Sequence, residues 1–111
     1  AIGCQPRSRP SLFIMAEYCI TAYDFTDADA LNRRMKVRPD HLAYIRPFKE
    51  KGNFLNGGAI LNEDNQMIGS ILLMRFDSPA EFDQYLQHDP YLVGKVWDKI
   101  EVKTIRSVQL D

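Results

Sequence analysis

The stretch from Arg38 to Tyr44 (Arg-Pro-Asp-His-Leu-Ala-Tyr) holds the residues of this chain that are best suited to chemistry. It combines a cation, a Pro-Asp pair typical of a helix start, and His41, one of only two histidines in the chain. A neutral imidazole is a competent base near neutral pH, because its unperturbed pKa is about 6.5. The segments that follow are predicted to form sheet, helix and sheet, which could close a pocket over His41.

The composition limits the classes of protein to which the chain can belong. With 111 residues, 45% of them hydrophobic and 26% charged, it is long enough for one globular domain with a modest core. A net charge of -1 and an isoelectric point near 6.1 argue against nucleic-acid binding, which demands a concentrated basic face. No apolar run approaches the length of a membrane span, so we expect no membrane partner.

The two cysteines, Cys4 and Cys19, do not belong to a metal-binding pattern. The chain has no CxxC pair and no histidine cluster that would complete a zinc site, so no metal is predicted. Such cysteine usage fits a reducing compartment, and we expect a cytoplasmic protein. No glycine-rich phosphate-binding loop opens a helix, so we also expect no cofactor.

Residues 1–14 differ in composition from the rest of the chain. They contain Arg7, Arg9 and two prolines but no acidic residue. Met15 is a sensible natural start. We therefore interpret residues 1–14 as a disordered extension, a targeting segment or an expression-derived tail, and residues 15–111 as a single domain.

Alternation and capping signals predict the element order β-α-β-β-α-β. The four strands are predicted from their apolar and β-branched residues at 16–23, 54–61, 66–76 and 100–108. A helix is predicted to begin near Ala28 after a Thr26 or Asp27 cap, and Ser78 is predicted to cap another. With right-handed crossovers this order gives the ferredoxin-like α+β fold, a four-stranded antiparallel sheet with helices on one face.

The segment between Ala28 and Gly52 leaves two helical arrangements open. Pro39 suits a first helical position and biases Arg38 away from helical geometry, so we expect either two short helices or one helix kinked at Arg38. Pro47 should bend or shorten the second part, and Gly52 should end it in a left-handed conformation. The apolar spacing predicts inward-facing side chains at Leu31 and Met35 and at Leu42, Ile45, and Phe48 or Lys49.

The third predicted strand is apolar on both of its faces. These faces carry Ile68, Leu72 and Met74 on one side and Met67, Ile71 and Leu73 on the other. Helices cover only one face of a small sheet, so the second face must be covered as well. A second copy of the sheet is the economical cover, and we predict a homodimer that packs sheet against sheet.

Four short motifs are spread through residues 16–108. They are Arg34 with Arg38-Pro39-Asp40-His41-Leu42, then Leu55-Asn56-Gly57-Gly58, then Ile68-Gly69-Ser70, and finally Asp89-Pro90-Tyr91 followed by Gly94. In this order they resemble the YciI-like (YCII-related) family of the dimeric α+β barrel superfamily.

The resemblance implies a subunit that pairs into a barrel-like dimer, with a small-molecule cleft between the sheet and the helices. It implies that His41 and Asp89 are the catalytic pair. Similar members of the superfamily include lactone isomerases, small monooxygenases and dehalogenating enzymes that act on ring-derived compounds. The residues that it implies as lining the pocket and binding the substrate are Arg34, Arg38, Gly58 and Ser70.

Such a pair would perform general acid/base chemistry. A carboxylate bonded to one imidazole nitrogen fixes the tautomer and stabilises the imidazolium that forms after proton abstraction. Arg34 or Arg38 could hold a carboxylate or enolate oxygen. The predicted function is therefore isomerisation, elimination with dehalogenation, or hydrolysis of a small ring-derived acid or lactone.

Each of these residues also has a structural interpretation. His41 would then be a surface or capping residue, and Asp89 would cap a short turn that ends at Gly94, a role that it could combine with catalysis. Tyr91 and Trp97 are assigned to the core or to dimer contacts. The alternative function is a non-catalytic small-molecule-binding or dimerisation module that uses the same cleft.

Overall fold

The chain folds as a β-sheet with helices packed on one face. The computed structural model describes residues 15–108 and 110, and the predicted extension at residues 1–14 lies outside the described residues. No helix in the described part is both long and apolar enough to cross a membrane. The elements are β1 (Ala16–Asp24), α1 (Ala30–Glu50), β2 (Phe54–Leu61), β3 (Met67–Phe76), α2 (Pro79–His88), α3 (Pro90–Val93) and β4 (Trp97–Ile105).

The four strands form one sheet in the order β2-β3-β1-β4. β1 lies between β3 and β4, β2 pairs with the outer side of β3, and all three pairings are antiparallel. The predicted ferredoxin-like α+β fold is confirmed. The two central strands, β1 and β3, therefore form the surface against which the helices pack.

The inner face of the sheet carries the core. Tyr18, Ile20 and Ala22 lie buried on this face, as the period of two predicted. Across the β1–β3 pair, Ile20 is opposite Leu72 and Tyr18 is opposite Met74. The helices that follow β3 pack on this face with the buried aromatic side chains Phe82, Tyr85 and Tyr91.

The segment predicted as two short helices or a kinked one is a single helix of 21 residues, with Pro39 and Pro47 inside it. A proline in a helix interior removes one backbone donor and costs about 3 kcal/mol. Both prolines are exposed, and so are Met35 and Ala43, whose carbonyls lie four residues earlier and lose that donor. Water can therefore hydrogen-bond these two carbonyls in place of the missing donors. Packing of the opposite, buried face of α1 keeps the helix continuous. After the helix, Gly52 has the predicted left-handed conformation, with φ 87°.

The N-terminus of α1 lies two residues later than predicted. The helix begins at Ala30, and Asp29 precedes it without a side-chain capping bond. Asp27, predicted as a cap, instead accepts a hydrogen bond from Arg33 at 2.8 Å and one from the backbone N–H of Asp29 at 3.3 Å. Asp27 therefore closes the turn that leads into α1 and does not cap the helix itself.

The buried side of α1 is also different from the predicted one. Ile45 is buried as expected, but Met35 and Leu42 are 47% and 42% exposed. Arg34 and His41 are buried in their place, at a spacing that puts them on the same side as Ile45. Polar side chains tolerate burial when they are hydrogen-bonded, and a search for apolar spacing alone does not find them.

The last strand begins three residues earlier than predicted, at Trp97 instead of 100. The register between β1 and β4 shifts between Tyr23 and Asp24, and this irregularity lets Asp24 pair with Trp97. The shift brings the indole of Trp97, which is 3% exposed, into the core next to the end of β1.

The outer face of the sheet is partly apolar. Tyr23 and Ile71 are 47% and 41% exposed there, and Cys19 and Leu73 are half-buried beside them. Ile71 lies opposite Thr21, and Leu73 lies opposite Cys19, so these side chains share one surface over the two central strands. This is the surface that a second copy of the sheet would cover.

Candidate active site

A cleft of about 210 Å³ lies between α1 and the strands β2 and β3. Asp89 is not at its surface, because it is fully buried and contacts His41 from the protein side. No acidic residue of the described part of the chain lines the cleft. The other predicted site residues all line it, namely Arg34, Arg38, His41, Gly58 and Ser70.

His41 and Asp89 form a close pair. Nδ1 of His41 lies 2.7 Å from Oδ1 of Asp89, and the two side chains are 9% and 0% exposed. An ionised carboxylate only accepts hydrogen bonds, so Nδ1 carries the hydrogen and Nε2 carries the lone pair of the neutral ring. Nε2 has no hydrogen-bond partner within residues 15–108 and 110, and the ring lines the cleft. The lone pair is therefore available to a molecule in the cleft.

Asp89 is held by two further donors. Its Oδ1 accepts from the backbone N–H of Tyr91 at 2.9 Å, and its Oδ2 accepts from the Tyr85 hydroxyl at 2.6 Å. Burial, and then the charge of Asp89, raises the pKa of Tyr85, so the phenol remains a donor. Asp89 follows α2 and precedes Pro90, the first residue of α3. It thus caps α3 and contacts His41 at the same time, and the sequence had left both roles open.

Tyr91 is buried in the core, as the sequence predicted, and its ring also lines the cleft. Its ring stacks on the His41 imidazole with a centroid distance of 4.0 Å and an interplanar angle of 11°. The guanidinium carbon of Arg34 lies 4.6 Å from the centroid of the same ring. Burial raises the pKa of Tyr91, and Arg34 and Arg38 oppose this rise. The Asp-Pro-Tyr motif could have pointed to it, since Tyr91 comes two residues after Asp89.

Arg34 is anchored to the end of β1. Its Nη1 donates to both carboxylate oxygens of Asp24, at 2.9 and 3.0 Å, and its Nη2 donates to Ser70 Oγ at 2.8 Å. The indole N–H of Trp97 donates to the same Ser70 oxygen at 3.1 Å. Burial raises the pKa of Asp24, and Arg34 opposes this rise. The sequence analysis missed Asp24, yet alternation could have found it, because it continues the inward series of Ile20 and Ala22.

Arg38 is the uncompensated cation of the cleft. It lies one helical turn after Arg34, it is half-buried, and it forms no ion pair within the described ranges of the chain. Asp24 already neutralises Arg34. An anionic group in the cleft would therefore find its charge partner at Arg38.

The two neighbouring glycines of β2 have different roles. A Cβ atom at Gly57 would lie 2.7 Å from the Ile71 carbonyl oxygen and 3.0 Å from the Phe54 ring, so only glycine fits there. A Cβ atom at Gly58 would meet nothing within 4 Å. A pair of glycines inside a strand often marks a bulge, but here the register shifts lie on either side of the pair, between Phe54 and Asn56 and between Ile60 and Leu61.

Among the described residues, the cleft combines a proton acceptor at His41, a cation without an ion-pair partner at Arg38, and an aromatic wall. This set can remove a proton from a bound molecule and hold an anionic oxygen at the same time. In the part of the chain that the structure describes, no group of three or more His, Cys, Asp or Glu side chains could hold a metal ion.

Comparison with known families and proteins agrees with the fold. The model of the YCII-related domain matches residues 16–106. The chain belongs to the YCII-related family. Protein YciI of Escherichia coli O6:H1 is 30% identical to this YCII-related chain over 97 residues, which cover 82% of the chain and 97% of YciI. The "derivative of benzaldehyde biosynthesis cluster protein C" of Emericella nidulans is 32% identical over 85 residues, or 69% of the chain and 87% of that protein.

Solved structures extend the comparison of this YCII-related chain. The 5-chloro-2-hydroxyhydroquinone dehydrochlorinase TftG of Burkholderia phenoliruptrix AC1100, in complex with 2,5-dihydroxybenzoquinone, matches with a TM-score of 0.70 and 25% identity. That match covers 81% of this chain and 93% of TftG. A conserved protein of Methanosarcina mazei Go1 matches with a TM-score of 0.51 and 17% identity, over 90% of this chain and 98% of that protein, and shares the fold.

Proposed function

We propose that this YCII-related protein is a small-molecule enzyme that removes a proton next to a carbonyl group of a single-ring compound. His41 is the general base, and Asp89 orients its ring and stabilises the imidazolium. Arg38 binds the anionic oxygen that develops on the substrate. The steps are proton transfers and electrostatic contacts that these side chains supply, so the proposal includes no cofactor.

The single observation that carries the proposal is the orientation of the His41 ring. Its Nδ1 is engaged by a fully buried carboxylate at 2.7 Å, while its Nε2 has no partner in the described part and the ring lines the cleft. A histidine with only a packing or capping role would not need its Nδ1 to contact a buried carboxylate that accepts three hydrogen bonds. This geometry favours a working base over a structural histidine.

The cleft and the related proteins support the choice of substrate. A volume of about 210 Å³ is below the roughly 300–1,000 Å³ of sites for drug-sized ligands, and it suits one small ring. One structural relative is a dehydrochlorinase of a chlorinated hydroxyhydroquinone, and one sequence relative is a benzaldehyde-derivative biosynthesis cluster protein. We therefore propose an oxygenated ring compound as the substrate class of this chain.

Elimination is the reaction that the similarity to the dehydrochlorinase favours. His41 Nε2 takes a proton from a ring carbon next to a carbonyl, and the electron pair of the broken C–H bond moves into the ring as an enolate. The enolate then expels chloride with the electron pair of the C–Cl bond. The net change is the loss of one HCl, with the proton on His41 and the chloride released to solvent.

A substrate screen tests this function. The native chain and His41→Gln would be incubated with chlorinated hydroquinones, small lactones and hydroxylated ring acids, and chloride release and ultraviolet absorbance would be followed. We expect turnover of at least one compound by the native chain and none by His41→Gln. Turnover that survives in His41→Gln would refute the base, and binding without any turnover would favour the non-catalytic binding module.

We also propose that two copies pair through the outer face of the sheet. The exposed apolar side chains over the two central strands support this arrangement. Ile71→Asp should convert a dimer into a monomer in sedimentation analysis, because it places a charge in the centre of that face. Val93→Asp, at a 65% exposed position of α3, is the matched control and should leave the dimer intact. A native chain that sediments as a monomer would rule out this pairing.

A further inference from the structure

Both hydrogen-bond partners that the described residues give the Ser70 hydroxyl are N–H donors. Its oxygen accepts from Arg34 Nη2 at 2.8 Å and from Trp97 Nε1 at 3.1 Å. A serine hydroxyl has two acceptor positions and one donor hydrogen, so these two N–H groups fill both acceptor positions. Within residues 15–108 and 110, no atom accepts the hydroxyl hydrogen of Ser70.

A second donor of the same cluster also lacks an acceptor. Nε of Arg34 is buried and has no hydrogen-bond partner in the described part of the chain. Both oxygens of the neighbouring Asp24 carboxylate already accept from Nη1 of Arg34. The cluster therefore has two unmet donors, of which the Ser70 hydroxyl belongs to a residue that lines the cleft, and each acceptor oxygen in the cluster already accepts at least one hydrogen bond. Because a buried polar group without a partner is costly, a ligand that supplies an acceptor is favoured here.

We infer that Ser70 is a specificity-determining residue that admits only hydrogen-bond acceptors. Ser70 is 3% exposed and lines the cleft, so it meets the ligand directly. Its hydroxyl donates to a carbonyl, carboxylate or deprotonated hydroxyl oxygen of the ligand. A ligand group that can only donate, such as a ring N–H or an aromatic amine, leaves two donors facing each other at this position. The inference rests on the proposed function for the identity of the cleft, and it narrows the substrate to a ring with a hydrogen-bond-accepting atom at this point.

Trp97 sets this selectivity from outside the cleft. Its indole N–H occupies the second acceptor position of Ser70, and its side chain is not part of the cleft lining. Replacing Trp97 with phenylalanine removes that N–H and frees one lone pair on Ser70. Ser70 could then accept a hydrogen bond from a ligand donor, and the selectivity would relax without any change in the residues that touch the ligand.

Two isosteric dyes test the inference by binding alone. para-Nitrophenolate presents an acceptor oxygen where para-nitroaniline presents an amino group. At a pH at which the phenol is ionised, we expect the native chain to bind the phenolate at least about tenfold more tightly than para-nitroaniline. This is the size of effect that a charge-assisted hydrogen bond gives. Ser70→Ala should lower this ratio by about tenfold. Trp97→Phe should lower it as well, by raising the affinity for para-nitroaniline.

The outcomes separate this inference from the proposed function. An affinity ratio that stays unchanged in Ser70→Ala, or a native chain that does not bind para-nitrophenolate, would overturn the inference. Because Ser70→Ala removes only one oxygen atom, it decides the matter even if Trp97→Phe does not fold. A ratio that falls in Ser70→Ala while turnover survives in His41→Gln would keep the selectivity of Ser70 and reject the proposed base.

Discussion

Replacement of Asp24 by alanine is expected to lower the free energy of unfolding by about 3–5 kcal/mol. The carboxylate is the only charge partner that the described residues give Arg34, and the two side chains are 3% and 5% exposed. Without it, the guanidinium stays buried next to Tyr91 with its charge uncompensated. A loss of this size is a large part of the roughly 5–15 kcal/mol that stabilises a typical domain.

The expected loss of stability comes from leaving Arg34 buried without its partner. It does not mean that the intact Arg34–Asp24 ion pair adds much to the free energy of unfolding. Burial raises the pKa of Asp24 more than Arg34 lowers it, so the ion pair does not fully repay the desolvation of the carboxylate. Removal of one partner leaves the other with its full desolvation cost. The pair therefore positions Arg34 in the cleft wall and makes only a small net contribution to stability.

The matched control for Asp24→Ala is Asp27→Ala. Asp27 binds Arg33 with two hydrogen bonds, at 2.8 and 3.2 Å, but its side chain is 51% exposed. Exposed ion pairs are screened by water and contribute little to stability, so Asp27→Ala should have a small effect. Denaturant unfolding of the two variants measures the difference. Equal effects would show that Arg34 does not need its buried partner, and Asp24→Asn, which keeps one acceptor oxygen, should lie between the two.

Replacement of Asp89 by asparagine is expected to lower kcat by a factor on the order of 10²–10⁴, with KM nearly unchanged. Asparagine carries no negative charge, so it cannot stabilise the imidazolium that forms when His41 takes a proton. KM should stay nearly unchanged, because Asp89 is fully buried and does not line the cleft. The measurement is steady-state kinetics on a compound that the native chain turns over.

The design of this experiment separates catalysis from folding. Asparagine is also a good helix cap, so the contact with the Tyr91 N–H that caps α3 can persist in Asp89→Asn. Asp83→Asn changes an exposed aspartate of α2 in the same way and should leave kcat unchanged. A variant of Asp89 with native kcat would mean that the carboxylate serves only as a cap.

The fold was largely predictable because its signals are local. The alternation in β1 placed Tyr18, Ile20 and Ala22 on the core face. Ser78 accepts the predicted capping bond from the Glu81 N–H at 3.2 Å, and Pro79 occupies the first turn of α2. Such patterns are set by residues close together in the chain, so the sequence alone contains them.

The surroundings of the site were less predictable because they depend on distant residues. α1 buries Arg34 and His41, which become acceptable in the interior only through Asp24 and Asp89, 10 and 48 residues away. An apolar-periodicity search instead placed Leu42 inside. The stacking of Tyr91 on the His41 ring depends on how α3 packs against α1, which the Asp-Pro-Tyr motif does not show. The candidate site residues were predicted mainly through the family motifs, whereas the hydrogen bonds that hold them needed coordinates.

The most direct test of the proposed base is the tautomer of His41 in the native chain. Nitrogen-15 NMR of a histidine-labelled sample, at a pH about two units above the ordinary imidazole pKa of about 6.5, reports which ring nitrogen carries the hydrogen. The His41 signals would be assigned by their loss in His41→Gln, with exposed His88 as the internal reference. We predict that the hydrogen lies on Nδ1, toward Asp89, and that Nε2 is bare. A ring with its hydrogen on Nε2 would have no lone pair facing the cleft, and it would contradict the proposal that His41 is the base.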